Sequence, residues 1–256
     1  MSETQLSIVL PVYNEARCIE ATLDAVAREL DARSPSWEIL VVDDGSTDAT
    51  SELARARSEA EPRIRRIGGP RNRGKGYAVR RGMLEARGSR LGFMDADLST
   101  PAEEIDRAVS LLERGADVVI GTRCHPQSRV LVRQARWRAT MGDVFRRLSI
   151  GVLRLPVSDV TCGFKFFTRA AARAVFERAR LDDWSFDAEI LYAAKRLGLR
   201  IVELPVTWSN DPATRVRAGR DALRAARGVA GIMVRGWRGE YDAAGRGEQD
   251  GAPCER

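Results

Sequence analysis

The chain has 256 residues, 44% hydrophobic and 30% charged, a composition that fits a globular domain and excludes a disordered chain. Its net charge of +6 is carried by arginine, because only three of the 42 basic residues are lysine. That balance favours anionic partners without choosing among nucleic acid, phosphorylated metabolites and anionic lipid.

No stretch approaches the ~18 apolar residues of a spanning helix. The N-terminal MSETQLSIVL has neither the basic start nor the apolar core of a signal peptide. The four cysteines lack a C-x-x-C pair, and His125 is the one histidine, so zinc is not expected and the thiols read as reduced. A cytoplasmic protein, soluble or peripheral on a membrane, is the expectation.

In chain order, Leu6–Val12 reads as a buried strand ended by Pro11 and the turn-forming Tyr13-Asn14. Ile19, Leu23, Val26 and Leu30 then mark one face of a helix. Trp37–Val42 is a second strand, running into DDGSTD, with Ser46 or Thr47 as expected caps of a second helix. Arg63–Ile67 is a weaker strand, Lys75–Ala86 a helix and Arg90–Met94 a strand, followed by DADLST and a helix opened by Pro101. Asp117–Ile120 is a fifth strand. Beyond it lie a basic segment from Arg123 to Arg154, the stretch Asp159–Phe167, a helix from Arg169, a helix over Trp184–Leu197 and a strand over Ile201–Trp208.

Strands alternating with single helices imply an α/β fold with a mostly parallel sheet covered on both faces. Ligands bind such sheets beyond the carboxyl ends of the strands. The polar clusters Asn14-Glu15, Asp43-Asp44 and Asp95 with Asp97 all fall there.

Asp95 and Asp97, at i and i+2 past a strand, suit Mg²⁺ or Mn²⁺, although a solvated turn looks the same in sequence. Asp43 and Asp44 precede Gly45 and can accept from a base or a ribose, or simply form a capped turn. The run Gly69 to Gly76 is a Walker A loop but for Gly76, which stands where the metal-binding hydroxyl belongs. That leaves Lys75 as a diphosphate contact and disfavours an ATPase.

Taken together, PVYNE (11–15), DDGSTD (43–48), RNRGKG (71–76), DADLST (95–100), GTR (121–123), DVTCGFKFF (159–167) and WSFDAE (184–189) resemble family 2 glycosyltransferases. The likeness is greatest to the branch acting on dolichyl or polyprenyl phosphate, and within it to dolichyl-phosphate β-glucosyltransferases. Ser99 stands where the mannosyl group has glutamine. The resemblance implies a GT-A fold, with a Rossmann-like sheet flanked by helices, and inverting transfer from a nucleotide sugar, UDP-glucose or alternatively GDP-mannose.

By the same resemblance, Pro11, Tyr13, Glu15, Asp43, Asp44, Lys75 and Asp95 hold the nucleotide sugar, and Asp95 and Asp97 hold the metal. Arg123, Arg136, Thr140 and Lys165 meet the acceptor phosphate, and Asp187 and Glu189 join Asp95 and Asp97 as catalytic candidates. A phosphate acceptor has a second pKa of ~6 and needs positioning more than a general base.

The expected domain plan is a catalytic domain over 1–210, a basic amphipathic helix within 211–238 and a disordered tail over 239–256. Leu223, Ala226, Ala230, Met233 and Trp237 recur at helical spacing. Arg217, Arg220, Arg224, Arg227, Arg235 and Arg238 fall in one ~80° sector beside them. Such a helix reads as an interfacial anchor on anionic lipid or as a surface helix packed on the domain. The remaining alternatives are a soluble acceptor and a non-catalytic module binding a nucleotide sugar or nucleic acid. No nucleic-acid partner is expected, because intact Asp95, Asp97 and Lys75 argue for an enzyme.

Overall fold

The computed structural model describes residues 4–33, 36–132, 136–210 and 218–242, with the backbone alone for 136–141 and 218–226. The order is β1 Leu6–Val12, α1 Ile19–Arg33, β2 Trp37–Asp43, α2 Thr50–Ala60, β3 Ile64–Gly68, α3 Lys75–Glu85, β4 Arg90–Met94, α4 Glu104–Glu113 and β5 Val118–Thr122. It continues with β6 Arg129–Val132, α5 Arg136–Leu153, β7 Phe164–Thr168, α6 Arg169–Phe176, α7 Phe186–Arg196, β8 Ile201–Pro205, β9 Thr207–Ser209 and α8 Ala218–Trp237.

The main sheet has the order β3-β2-β1-β4-β7-β5-β8, and β6 pairs with β9 apart from it. Within the main sheet every pairing is parallel except those of β7, which runs antiparallel to both β4 and β5. Side chains alternate across each strand. Ile8, Leu10, Ile39 and Val41 therefore pack with α1 and α4 on one face. Val9, Leu40 and Val42 pack with α3 on the other, in a core that α6, α7 and α8 complete. The expected mostly parallel, doubly covered α/β sheet is observed.

Pro11 fits inside β1 because β1 pairs with β4 only as far as Val9, so its missing N–H interrupts no ladder there. Several details depart from expectation. Helix α2 starts at Thr50 with Ala49 at its N-cap, and neither Ser46 nor Thr47 caps it. Both residues tie loops together instead: Ser46 Oγ accepts from Asn14 N, and Thr47 N donates to Asn14 Oδ1. Pro101 opens a turn, accepting from Glu104 N, and α4 begins only at Glu104. The strand expected over Ile201–Trp208 is two: β8 ends at Pro205, and Trp208 pairs with Val130 in the small sheet.

Helix α8 spans Ala218–Trp237, and the side chains it turns to the core lie largely outside the apolar row noted in the sequence. Val229 and Ile232 are the buried side chains, Met233 packs on the core, and Ala230 and Trp237 are exposed. Gly228 and Gly236 lie on that inward face, where a Cβ would meet Ser185 and the Tyr192 ring respectively. They let α8 approach α7 closely. Arg235 also turns inward, towards Glu189, while Arg227 and Arg238 remain exposed. Arg217, and the side chains of Leu223, Ala226, Arg220 and Arg224, lie outside the described residues. Residues 239–242, expected in a disordered tail, are ordered: Tyr241 is buried and Asp242 pairs with Arg196. Residues 243–256 lie outside the described residues.

Candidate active site

The carboxyl ends of β1 and β2 are fastened to each other. Asn14 takes a left-handed backbone (φ 58°), from which its Oδ1 accepts from Thr47 N at 2.7 Å. Its own N–H donates to Ser46 Oγ at 3.0 Å, and Glu15 N donates to Thr50 Oγ1 at 2.7 Å. PVYNE and DDGSTD thus form one double loop, with Tyr13 exposed on it and Pro11 and Glu15 half-buried. Asp43 is buried, accepting from Ser46 N at 2.9 Å and from Arg66 at 3.3 Å. Burial works to raise its pKa, but the hydrogen bonds from Ser46, Ser51 and Arg66 together hold it below the usual carboxylate value.

Asp44 holds the next loop. Its two oxygens accept from the backbone N–H groups of Arg73 (2.9 Å) and Gly74 (2.7 Å). Burial pushes its pKa up, partly opposed by those two bonds. The RNRGKG segment is pressed from the other side by residues 181–183. Gly76 N donates to Asp182 O at 2.9 Å, and a Cβ on Gly76 would lie 2.7 Å from Phe186 Cβ. Gly76 stands where a P-loop has a hydroxyl because there is no room for a side chain.

Lys75, at the start of α3, contacts the Asp95 carboxylate directly. Burial works to lower its pKa, but Asp95, Asp187 and Asp97 outweigh it and the net shift is upward. Asp97, two residues on, is oriented by Ser99 N at 2.9 Å. Burial and the neighbouring Asp95 push its pKa up. Asp95 N donates to Gly163 O at 3.1 Å, and any Cβ on Gly163 would strike the Asp95 carboxylate.

Among the described residues no three His, Cys, Asp or Glu side chains gather as a metal cage. Two carboxylates at i and i+2 are nevertheless a donor set that fits Mg²⁺ or Mn²⁺. Such ions take one or two protein carboxylates and complete their shell with phosphates and water.

The remaining predicted residues lie deeper. Lys165 is fully buried in β7, and its Nζ donates to Cys162 O at 2.6 Å and to Asp187 Oδ1 at 2.5 Å. It cannot present itself to an acceptor phosphate in this geometry; it neutralises Asp187. Burial pushes Asp187 up, with Lys165 and Lys75 opposing. Arg123 pairs bidentately with buried Asp159, at 2.7 and 2.9 Å, and donates to Thr161 Oγ1 at 2.7 Å. Burial raises the pKa of Asp159, but the Arg123 guanidinium outweighs it and holds the carboxyl below its usual range.

Glu189 is fully buried and fully hydrogen-bonded, and it faces away from solvent. The side chains of Arg136 and Thr140 lie outside the described residues. The sequence reading missed Asp159, Gly163 and Asp182. Asp159 and Gly163 both stand in the DVTCGFKFF motif, where neither was given a role, and Asp182 left no signal.

Comparison with known proteins gives the family. The glycosyl transferase family 2 description matches residues 7–176, well over half of the chain. A dolichyl-phosphate beta-glucosyltransferase of Trichomonas vaginalis is 33% identical over 219 residues, covering 81% of this chain and 65% of the relative. The chain thus spans just under two thirds of that protein's length. The dolichyl-phosphate beta-glucosyltransferase of Drosophila melanogaster is 33% identical over 244 residues, covering 90% of this chain and 75% of its own. Among solved structures, glucosyl-3-phosphoglycerate synthase of Mycobacterium tuberculosis, bound to Mn²⁺, UDP-glucose and phosphoglyceric acid, matches with a TM-score of 0.67. At 22% identity, over 90% of this chain and 79% of the other, that likeness speaks for the GT-A fold. Sequence match and fold agree, and the chain belongs to glycosyl transferase family 2.

Proposed function

We propose that the chain transfers glucose from UDP-glucose, with inversion, onto a polyprenyl or dolichyl phosphate. The observation that carries the donor half is the contact of Lys75 with Asp95, with Asp97 two residues on. A cation and two hard oxygen ligands stand side by side where a diphosphate would bind. The names of the relatives support glucose and the lipid phosphate.

In this reading the double loop of Pro11, Tyr13, Glu15 and Asp43 receives the nucleotide, while Asp44 fixes the loop that carries Lys75. A divalent cation on Asp95 and Asp97, Mg²⁺ or Mn²⁺, would neutralise charge on the departing diphosphate. Lys75 adds a second positive charge at the same point. An acceptor phosphate oxygen attacks the anomeric carbon in line as the bond to the nucleotide diphosphate breaks, the diphosphate leaving with the electron pair. With a second pKa of ~6 the acceptor is ionised at neutral pH and requires no general base. Arg136 and Thr140 are assigned to that phosphate by resemblance, and Arg123 borders it from its pair with Asp159. Lys165 and Glu189 are assigned to support.

Peripheral contact with an anionic membrane on its cytoplasmic face belongs to the same proposal. Among the described residues no helix is long and apolar enough to cross a membrane. Val144, Leu148 and Val152 form an exposed stripe on α5, beside exposed Arg147, and Trp237 at the end of α8 is 76% exposed. Both features suit an interface of lipid and water.

The test is transfer to polyprenyl phosphate in vesicles with and without anionic lipid, offering UDP-glucose and GDP-mannose in parallel with Mg²⁺. We expect glucose transfer that rises with anionic lipid and falls at least ~100-fold in Asp97→Ala. Transfer only to soluble phosphorylated acceptors would replace the lipid reading. Nucleotide-sugar binding without any transfer would point to a non-catalytic module, and salt-sensitive binding of nucleic acid without metal would replace both.

A further inference from the structure

Glu189, on α7, joins two parts of the molecule that are distant in sequence. Its Oε2 accepts from the backbone N–H groups of Arg180 (2.9 Å) and Leu181 (2.7 Å). Its Oε1 accepts from the Tyr241 hydroxyl at 2.8 Å and faces Arg235 Nη2 at 3.1 Å. A carboxylate with no exposure would be costly without such partners. Two of them come from α8 and the residues just after it.

The 180–183 turn held by the other two is the support of the Lys75 loop. Asp182 O receives Gly76 N, and a Cβ on Gly74 would lie 3.1 Å from Asp182 C. The Asp182 carboxylate takes Arg80 at 2.7 Å. An unbroken run of contacts therefore leads from Tyr241 and Arg235 through Glu189, Leu181 and Asp182 to Gly76, next to Lys75.

We propose that Glu189 is a positioning residue of the donor site, through which the C-terminal segment sets the place of Lys75. This rests on the reading that Lys75 meets the donor diphosphate. If the carboxylate loses a partner from the C-terminal segment, the turn relaxes, the glycine contacts loosen and Lys75 shifts from the diphosphate. Donor binding is weakened and acceptor binding is not.

The experiment measures UDP affinity with Mn²⁺ by calorimetry, and separate KM values for UDP-glucose and for polyprenyl phosphate. The variants are Tyr241→Phe and Glu189→Gln, with Lys195→Met as a stability control. Lys195 donates to the carbonyls of Leu153, the last residue of α5, and of Arg154 just beyond it, and makes no contact with Glu189. Glu189→Gln risks misfolding, so Tyr241→Phe, which removes one hydroxyl, is the decisive variant. We expect its UDP Kd and donor KM to rise about 3- to 10-fold, the part of one lost hydrogen bond to a charged group that reaches the donor loop, with acceptor KM unchanged. Lys195→Met should lower Tm without moving donor KM.

Equal UDP affinity in wild type and Tyr241→Phe, with only Tm reduced, would leave Glu189 a purely structural residue and overturn the proposal. A rise in donor KM in Lys195→Met as large as in Tyr241→Phe would overturn it too, tracing the effect to general loss of stability. Failure of the wild type to bind UDP would instead sink the donor-site reading beneath it.

Discussion

Asp95 owes its position to a neighbour that lacks a side chain. Gly163 leaves the space that the carboxylate fills, and its carbonyl takes the Asp95 N–H. Gly163→Ala should therefore displace Asp95 from the proposed metal position while leaving most of the core intact. The expected outcome is Mn²⁺ affinity, measured by electron paramagnetic resonance with UDP present, reduced about 10- to 100-fold. Unchanged affinity would show that Asp95 has another place to stand. Sequence revealed which residue types the site needs but not who neutralises whom. Arg123 is paired with Asp159 and Lys165 with Asp187, and neither pairing is written in the local sequence. Such partners are set by strand pairing across β4, β5 and β7, and no local spacing encodes it.

Three glycines in α8 have different work despite sharing a helix. A Cβ on Gly231 would have nothing within 4 Å, whereas one on Gly228 would meet Ser185 and one on Gly236 the Tyr192 ring. Gly231→Ala should raise stability by up to ~1 kcal/mol through helix propensity alone. Gly236→Ala should lower it by about 1–3 kcal/mol through overpacking, despite the same propensity gain. Urea unfolding of the two variants checks this, and like signs would contradict the close α7–α8 approach. At this scale most elements were legible: β1, α1, β2, α3 and β4 begin where their apolar patterns begin. The direction of β7 was not, because alternation of side chains is the same read either way along a strand. The inward face of α8 left no clear apolar row either. Gly228 and Gly236 face inward, so the Val229 and Ile232 stripe is narrower than the apolar row that includes Trp237.

On the scale of the whole molecule, the Arg123–Asp159 pair ties the end of β5 to the loop before β7. Glu203 on β8 adds a third strand by accepting from Ser158 N at 2.8 Å. Removing the buried carboxylate leaves Arg123 without its counter-charge, so Asp159→Asn should cost about 3 kcal/mol in urea unfolding at neutral pH. The folded pKa of Asp159 lies below its ordinary value. Its contribution is therefore fully present above the unfolded pKa of ~3.9 and is lost as pH falls through the folded value. The stability gap between wild type and variant should accordingly narrow in acid, below about pH 4. A gap that stays constant or widens there would mean that the pair does not titrate as the geometry requires.

The reversed strand also has a bearing on how the protein is made. Strands β3, β2, β1 and β4 are complete once the chain has passed Met94, but β7, the partner on the far side of β4, begins only at Phe164. Throughout that interval of synthesis the nascent sheet ends in an unpaired β4 edge, an open template for any other extended chain. Strand β5 emerges in the meantime yet cannot close that edge, since in the finished sheet β7 lies between them. The growing polypeptide is thus most exposed to association with its neighbours after it has built β1 to β4 and before it has built the strand that seals them.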